Sequence, residues 1–355
     1  MTTSPINRND TNYRITMRNF AVPLALAALS FAGAINARPI VIEESQRLDR
    51  PSTDYRYFAE FVAVDGDYAL VTALRSNNGF NYPYQQLALL YHRGANGQWA
   101  FERVLVDNDT DAASWNNPGV AMKNGIAAVS VTPFLTFRLT PQGWVSTPSP
   151  FPAPVDDPEW ANGQNVRFDA STLVSGADRC HYGAVSSEWQ NGTWTAAQSV
   201  HGNQRICSLS NYPMSLDIDG NTLVVTNPQE DTDQLPTEMK IYGRNGPGTP
   251  WQLSATLPTG EWGRGVAVRG DDLVVGSWHP LGNEIYHRSA GVWEHAGHLP
   301  TLRGFGFYYD GAYQFAKNEE FILFGGTGIP EQGKGAIHVY RKRADNTYEH
   351  VAILT

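Results

Sequence analysis

The chain is poor in the residues that usually announce chemistry. Its 355 residues include only two cysteines, Cys180 and Cys207, and nine histidines: His92, His181, His201, His279, His287, His295, His298, His338 and His350. They form no His-Glu-x-x-His pair and no Cys-His cluster, which argues against a zinc or iron site. No Gly-x-Ser-x-Gly elbow occurs, and no glycine-rich phosphate loop joins a strand to a helix. Charged residues make up 17% of the chain, and positive charge is concentrated only in the short run Arg341 to Arg343. A polyanion binder needs a basic face to displace counterions, so nucleic acid is not an expected partner. The run itself fits a solvated hairpin turn. No later segment is apolar enough over the roughly 20 residues that a membrane span requires.

One apolar run does stand out, at the start. Arg14 and Arg18 precede the stretch Phe20 to Ala34, which is followed by small-residue cleavage contexts at Ala34 and Ala37. This is the order of an export signal. A short transmembrane anchor is the competing reading, disfavoured because the run is shorter than a span. Residues 1–37 are expected to be the signal peptide, with Met17 as a more usual start and residues 1–16 as an extension. Mature protein would then begin near Arg38, in the periplasm or outside the cell. Losing Arg8, Arg14, Arg18 and Asp10 removes a net +2, taking the formal charge from −9 to about −11. In that compartment Cys180 and Cys207 are expected to pair as a disulfide.

What the sequence has in quantity is short strands and turns. Six imperfect copies of a pattern of about 50 residues run from Val62 to Leu354,. Their first halves are VAVDGDYALV from Val62, VAMKNGIAAV from Val120, VRFDASTLV from Val166, LDIDGNTLVV from Leu216, VAVRGDDLVV from Val266 and FAKNEEFILF from Phe315. Each is a pair of strands around a tight turn, with Gly66, Gly125, Gly220 and Gly270 at the turn. The third copy carries Ala170 and Ser171 there and the sixth Asn318 and Glu319, so looser turns are expected. A second hairpin follows, and an aromatic residue opens its last strand: Trp99, Trp144, Trp194, Trp251, Trp293 and Tyr348. A large ring at one fixed place per copy is expected to pack between neighbours. The fold class is therefore all-β, a β-propeller of six four-stranded blades, or of seven if one is incomplete. Residues 58–355 would form it. Residues 38–57 would supply an N-terminal edge strand and lead-in, with Ile40 to Leu48 resembling the last strand of a blade.

Antiparallel order places both tight turns of every blade on one face of the disc and the long connections on the other. The long connections run through Arg75 to Tyr84, Asp107 to Pro118, Ser146 to Gln164, His201 to Pro213, Asn227 to Thr237 and Gly325 to Lys334. Variable loops on a rigid scaffold are the usual place for binding and catalysis.

The hairpins resemble FG-GAP repeats, the units of integrin α-chain propellers and of many exported bacterial proteins. The fifth copy carries the resemblance best, with Trp262-Gly263 as the aromatic-Gly start, VAVRGDDLVVGS from Val266 and IYHRSAGVWEHAGHL from Ile285. Phe58-Ala59 replaces the aromatic-Gly pair in the first copy, and Thr226-Asn227 replaces the Val-Gly strand end in the fourth. The resemblance implies a propeller with an extracytoplasmic interaction role and no particular ligand. Integrin-type units often carry an Asp-rich calcium loop. The nearest stretches here are Asp107, Asp109 and Asp111, then Glu230, Asp231 and Asp233. Neither has the Gly and closing acid of a full loop, so no metal site is expected and calcium remains the one cofactor such loops could suit.

Two functional classes remain. The first is a non-catalytic, monomeric binding or scaffolding module that takes an extracytoplasmic protein or carbohydrate on its long-loop face, through Asp107, Asp109, Asp111, Trp115, Asp157, Trp160, Asp231 and Asp233. The second is a glycoside hydrolase or lyase with paired carboxylates on that face, which adds Asp156, Glu159 and Glu230 to the same acids. The first is favoured, because carboxylates are common on acidic surfaces and the basic and aromatic subsites of a glycosidase do not assemble from sequence. Trp262 and Trp278 complete the tryptophans that could stack on sugar. His295 and His298, three apart on a strand, are expected on opposite faces.

Overall fold

The computed structural model describes residues 46, 48–56, 58–59, 61–78, 81–108, 118–131, 133–151, 165–176, 184–200, 215–226, 238–259, 265–276, 283–299, 315–329 and 334–354. Every regular element among them is a strand, and the strands form six antiparallel sheets. Blade 1 holds β1 (Tyr55–Arg56), β2 (Val62–Asp65), β3 (Tyr68–Asn78), β4 (Asn81–Arg93) and β5 (Trp99–Asn108). Blade 2 holds β6 (Val120–Lys123), β7 (Ile126–Val129), β8 (Leu135–Thr140) and β9 (Gly143–Thr147). Blade 3 holds β10 (Val166–Asp169), β11 (Thr172–Gly176) and β12 (Ala184–Gln190), with its outer strand broken into β13 (Thr193–Trp194) and β14 (Gln198–Ser199). Blade 4 holds β15 (Leu216–Asp219), β16 (Thr222–Thr226), β17 (Glu238–Gly243) and β18 (Gln252–Pro258). Blade 5 holds β19 (Val266–Arg269), β20 (Asp272–Val275), β21 (Glu284–Ser289) and β22 (Val292–His298). Blade 6 holds β23 (Phe315–Lys317), β24 (Phe321–Ile329), β25 (Lys334–Lys342) and β26 (Tyr348–Leu354).

The innermost strands pack in chain order, β2 on β6, β6 on β10, β10 on β15, β15 on β19 and β19 on β23. This is the arrangement of a multi-blade propeller. The apolar alternation read from sequence is what builds it, because each sheet is buried on both faces. Leu70, Ala88 and Leu90 meet Met122, Val129 and Trp144 across blades 1 and 2, and Val224 and Ile241 meet Val268, Leu273 and Trp293 across blades 4 and 5. The ring residue that opens each last strand lies where it was expected. Trp144, Trp251, Trp293 and Tyr348 sit in the cluster shared with the preceding blade, and Trp194 packs against the blade 2 cluster. Trp99 instead shares a cluster with Leu48, Tyr55 and Phe58, from the segment that precedes β2. Gln46 pins this segment by exchanging two hydrogen bonds with the Trp99 backbone (2.6 and 2.5 Å), and Tyr91 donates to the Asp49 carbonyl (3.1 Å). The strand of this segment is Tyr55–Arg56, paired with β3, while residues 40–45 lie outside the described residues.

Polar contacts reinforce the apolar seams. The last residue of an inner strand sends its carboxylate to the backbone N–H of the next blade's turn. Gly125 donates to Asp65 (2.8 Å), Gly220 to Asp169 (2.6 Å) and Gly270 to Asp219 (2.6 Å). The glycine of an Asp-Gly turn therefore supplies positive φ (56° at Gly220, 57° at Gly270) and also an N–H that a neighbour can reach,.

Two turns differ from expectation. The third copy keeps the tight two-residue register, Asp169 opposite Thr172, by placing Ala170 itself in the left-handed region (φ 49°). In the sixth, the apex shifts to Glu319 and Glu320, because the Asn318 side chain accepts from the N–H groups of Glu320 and Phe321 (2.9 and 2.6 Å). The paired histidines differ as well. His295 and His298 lie together, rings 4.9 Å apart and edge-on. A β-bulge between Ile285 and Tyr286, with Gly297 at φ 134°, interrupts the alternation that would have separated them,.

Candidate functional site

Of the acids and tryptophans expected on the long-loop face, Asp107 is the one that falls among the described residues. Asp109, Asp111, Trp115, Asp156, Asp157, Glu159, Trp160, Glu230, Asp231 and Asp233 lie outside them, as do Trp262, Trp278, Cys180 and Cys207. Asp107 is the last residue but one of β5, opposite Leu87 of β4. Nη2 of Arg75 donates to both of its carboxylate oxygens (2.9 and 2.8 Å), while the Arg75 Nε donates to Oε1 of Gln85 (2.6 Å). A calcium ion on Asp107 would have to displace that guanidinium. Among the described residues no group of three or more His, Cys, Asp or Glu side chains could hold a metal ion.

In the connection Arg75 to Tyr84 the described residues, 75–78 and 81–84, are strand. β3 and β4 pair on to Asn78 opposite Asn81, across a register shift between Ser76 and Asn78, so blade 1 raises a two-stranded ribbon from its long-loop end. β24 and β25 likewise pair as far as Ile329 opposite Lys334, across a bulge after Gly326. The backbone of these connections satisfies its own hydrogen bonds, which is why they read as strand in place of coil. Gln85 and Gln86, both buried, stand at the base of the blade 1 ribbon, and Asn108 Nδ2 reaches Gln86 Oε1 at 3.5 Å. At the corresponding end of blade 5 the buried Glu284 accepts from the Tyr286 hydroxyl (2.7 Å), which also lies 2.5 Å from the Pro258 carbonyl. Burial, then the hydrogen bond and charge of Glu284, push the Tyr286 hydroxyl well above the ordinary tyrosine range.

The strongest charge clusters are on the other face, beside the tight turns. The Arg244 guanidinium joins Glu188 of blade 3, donates to the Thr172 hydroxyl (2.6 Å) and lies 4.3 Å from the centre of the Trp251 ring. Arg288 repeats this one blade on, with Nη1 3.3 Å from the Thr222 hydroxyl and its guanidinium 5.2 Å from the Trp293 ring. Between blades 5 and 6 the equivalent partners are Lys342 and Asp272. Asp272 accepts from Lys342 (2.6 Å), Tyr348 (3.2 Å) and Lys317 (3.5 Å), and His287 Nδ1 lies 2.9 Å away. Burial raises this carboxyl, but the bonds from Lys342 and His287 and the charges of Lys317 and Lys342 outweigh it and hold it below the usual range. Sequence reasoning passed over these cations. Their signal is a repeated Tyr-x-Arg or Tyr-x-Lys: Tyr91 and Arg93, Tyr242 and Arg244, Tyr286 and Arg288, Tyr340 and Lys342.

No family model matches the chain, and no curated protein matches it in sequence. Solved structures do match. A candidate 6-phosphogluconolactonase from Bacteroides uniformis superposes with a TM-score of 0.52 at 13% identity, over 84% of this chain and 85% of that one. A protein of unknown function from Desulfotomaculum acetoxidans gives 0.50 at 14% identity, over 86% and 89%. The likeness is one of fold. At this identity it supports the propeller architecture and carries no activity across.

Proposed function

We propose that the chain is an exported, non-catalytic binding or scaffolding propeller of FG-GAP-like type, engaging an extracytoplasmic protein or glycan through its long-loop face. The reading is carried by a division of labour between the two faces. On the tight-turn face, Asp65, Asp169, Asp219, Glu188 and Asp272 all bind a neighbouring blade. The frame is thus held by contacts that owe nothing to the long connections, and connections on such a frame are free to serve a ligand. The state of Asp107 weighs against the hydrolase or lyase reading. A general acid or base has to exchange a proton during turnover, and Asp107 would first have to leave Arg75,.

The test is to screen purified mature protein against glycan and protein arrays and against a panel of glycosidase and lyase substrates. Asp109, Asp157 and Asp231 are then replaced by Asn one at a time. A binding module keeps its ligand through each single change and turns nothing over. Turnover that collapses by roughly two to four orders of magnitude with one such change would overturn the proposal.

A further inference from the structure

One arginine of the inner ring lacks the partner that its counterparts have. Arg75, Arg93, Arg269, Arg288 and Arg341 have side chains 26–34% exposed, and each donates to a carboxylate. The Arg167 side chain, 23% exposed, makes one hydrogen bond among the described residues, from Nη1 to the carbonyl of the preceding Val166 (3.0 Å). The Asp217 carboxylate beside it is 3.7 Å from Nε, outside hydrogen-bonding distance. Asp217 is engaged elsewhere, because its Oδ2 accepts from the Val268 N–H of the next blade (2.8 Å). A guanidinium carries five donors, so most of the capacity of this one is unused by the fold.

Its place in the fold is set by register. Arg167 is the second residue of β10, opposite Val174, and the same position in the other inner strands holds Ala63, Ala121, Asp217, Ala267 and Ala316. β10 pairs with β11 on its outer side and with no strand on its inner side. Blades 2 and 4 cover the two sheet faces, so the exposure that Arg167 keeps lies at the inner edge, on the axis of the propeller. β10 runs from the long-loop side toward its tight turn, which puts Arg167 just beneath the long-loop face. Four of the five equivalent residues are alanine, so at this level only Asp217 sends a second long side chain from this position.

The electrostatics leave this charge under-compensated. Burial pushes both groups toward their neutral forms, Arg167 down and Asp217 up, against their mutual attraction, and the charge of Arg269 adds to the pressure on Arg167,. An incoming anion would relieve it. A planar carboxylate matches the guanidinium fork with two parallel hydrogen bonds. Phosphate, carrying more negative charge, would be repelled more strongly by Asp217 at the same place.

We infer that Arg167 anchors a carboxylate-binding site on the propeller axis that takes a small organic acid. Small size follows from access, since a side chain 23% exposed at the inner edge is reached from the axis alone. Asp217 sets the selectivity, admitting one negative charge and opposing a second. The inference goes beyond the binding role of the long connections and does not rest on it.

The experiment titrates the purified mature protein with acetate, succinate and inorganic phosphate, and with one short peptide carrying either a free or an amidated C-terminus. Acetate or succinate should bind and raise the thermal midpoint, with phosphate weaker than either. Arg167→Gln should weaken the carboxylate by about tenfold or more, and Arg167→Lys, which keeps the charge and loses the fork, by nearly as much. Neither should lower the midpoint of the ligand-free protein, because the side chain gives the fold one hydrogen bond. Asp217→Asn should act in the opposite sense and tighten the carboxylate by roughly fivefold, the effect of removing one like charge about 4 Å away in water. Arg138→Gln, at an exposed arginine of β8, should leave the titration unchanged. A midpoint that collapses with both Arg167 variants makes the residue structural and overturns the inference. So does a carboxylate titration that Arg167→Gln leaves unmoved, a preference for phosphate, or no anion binding at all. Binding of the free-acid peptide without the small acids overturns the ligand size.

Discussion

Replacing Arg244 with Leu tests whether the blades are held by the charged clamps as well as by apolar packing. The Arg244 and Glu188 side chains are 3% and 6% exposed, so removing either leaves a charge stranded away from water. Breaking a buried pair on one side costs about 3–5 kcal/mol, and here the guanidinium also leaves the Trp251 ring,. We expect Arg244→Leu to lose about 4 kcal/mol and Glu188→Leu a similar amount. The double replacement should recover most of this, because two aliphatic side chains of similar volume fill the seam without desolvation cost. Denaturant unfolding of the four proteins in one cycle gives the coupling directly, provided the slope m stays constant. A loss below about 1 kcal/mol for Arg244→Leu, or a double variant as unstable as the sum of the singles, would refute the reasoning.

Three further outcomes follow from particular contacts. Asp272→Asn should destabilise by about 3 kcal/mol or more, since Lys317, with a side chain 1% exposed, loses its charge partner; adding Lys317→Met should restore part of it in the same denaturant assay,. Burial, with His350 beside it, pushes His338 down to about 4. Its folded value lies below its unfolded one, so stability is level above about pH 6.5 and falls as pH drops toward 4, by at most about 3 kcal/mol. His338→Leu should flatten that window in a pH series of melts, and an unchanged slope would contradict the assignment. Finally, alkylation of the native, unreduced protein under denaturing conditions should find no free thiol if Cys180 and Cys207 are paired. Their loop of about 27 residues would then contribute on the order of 3 kcal/mol, and two free thiols would exclude the bond.

Architecture was legible in the sequence because it depends on period and alternation, which single-residue changes hardly disturb. The copies that lost their glycine show why turn detail was less so. Ala170 takes a left-handed conformation because strand pairing on both sides demands it, and Asn318 builds its turn from its own side chain. The Tyr-x-Arg or Tyr-x-Lys pattern was present in four blades, at Arg93, Arg244, Arg288 and Lys342, yet the meaning of the last three depends on which strand of the preceding blade lies opposite, a fact of packing and not of spacing. The site was least legible of all. Asp107 looked like one of a row of free acids, because its partner Arg75 is 32 residues away and faces it only once β3, β4 and β5 are in register.

The same structure explains how imperfect copies still fix the points from which their long connections leave. In three blades a hydroxyl reinforces the point from which the long connection leaves. The Thr226 hydroxyl donates to the Ser215 carbonyl (3.2 Å), the Thr72 hydroxyl accepts from the Phe61 N–H (3.1 Å), and the Ser130 hydroxyl accepts from the Gly119 N–H (2.8 Å). Each bond ties the second strand, or the residue after it, to the residue just before the first strand in its own blade, on the long-loop side. The backbone makes the same tie in five blades, from the N–H of Thr72, Ser130, Gly176, Thr226 and Gly276 to the carbonyl of Phe61, Gly119, Asn165, Ser215 and Gly265 respectively (3.1, 2.9, 2.9, 2.8 and 2.8 Å). Every such connection therefore leaves from a fixed anchor whatever its own sequence. Selection on the connections can then proceed without cost to the frame, which is the condition under which one face of a propeller acquires a ligand while the other keeps its geometry.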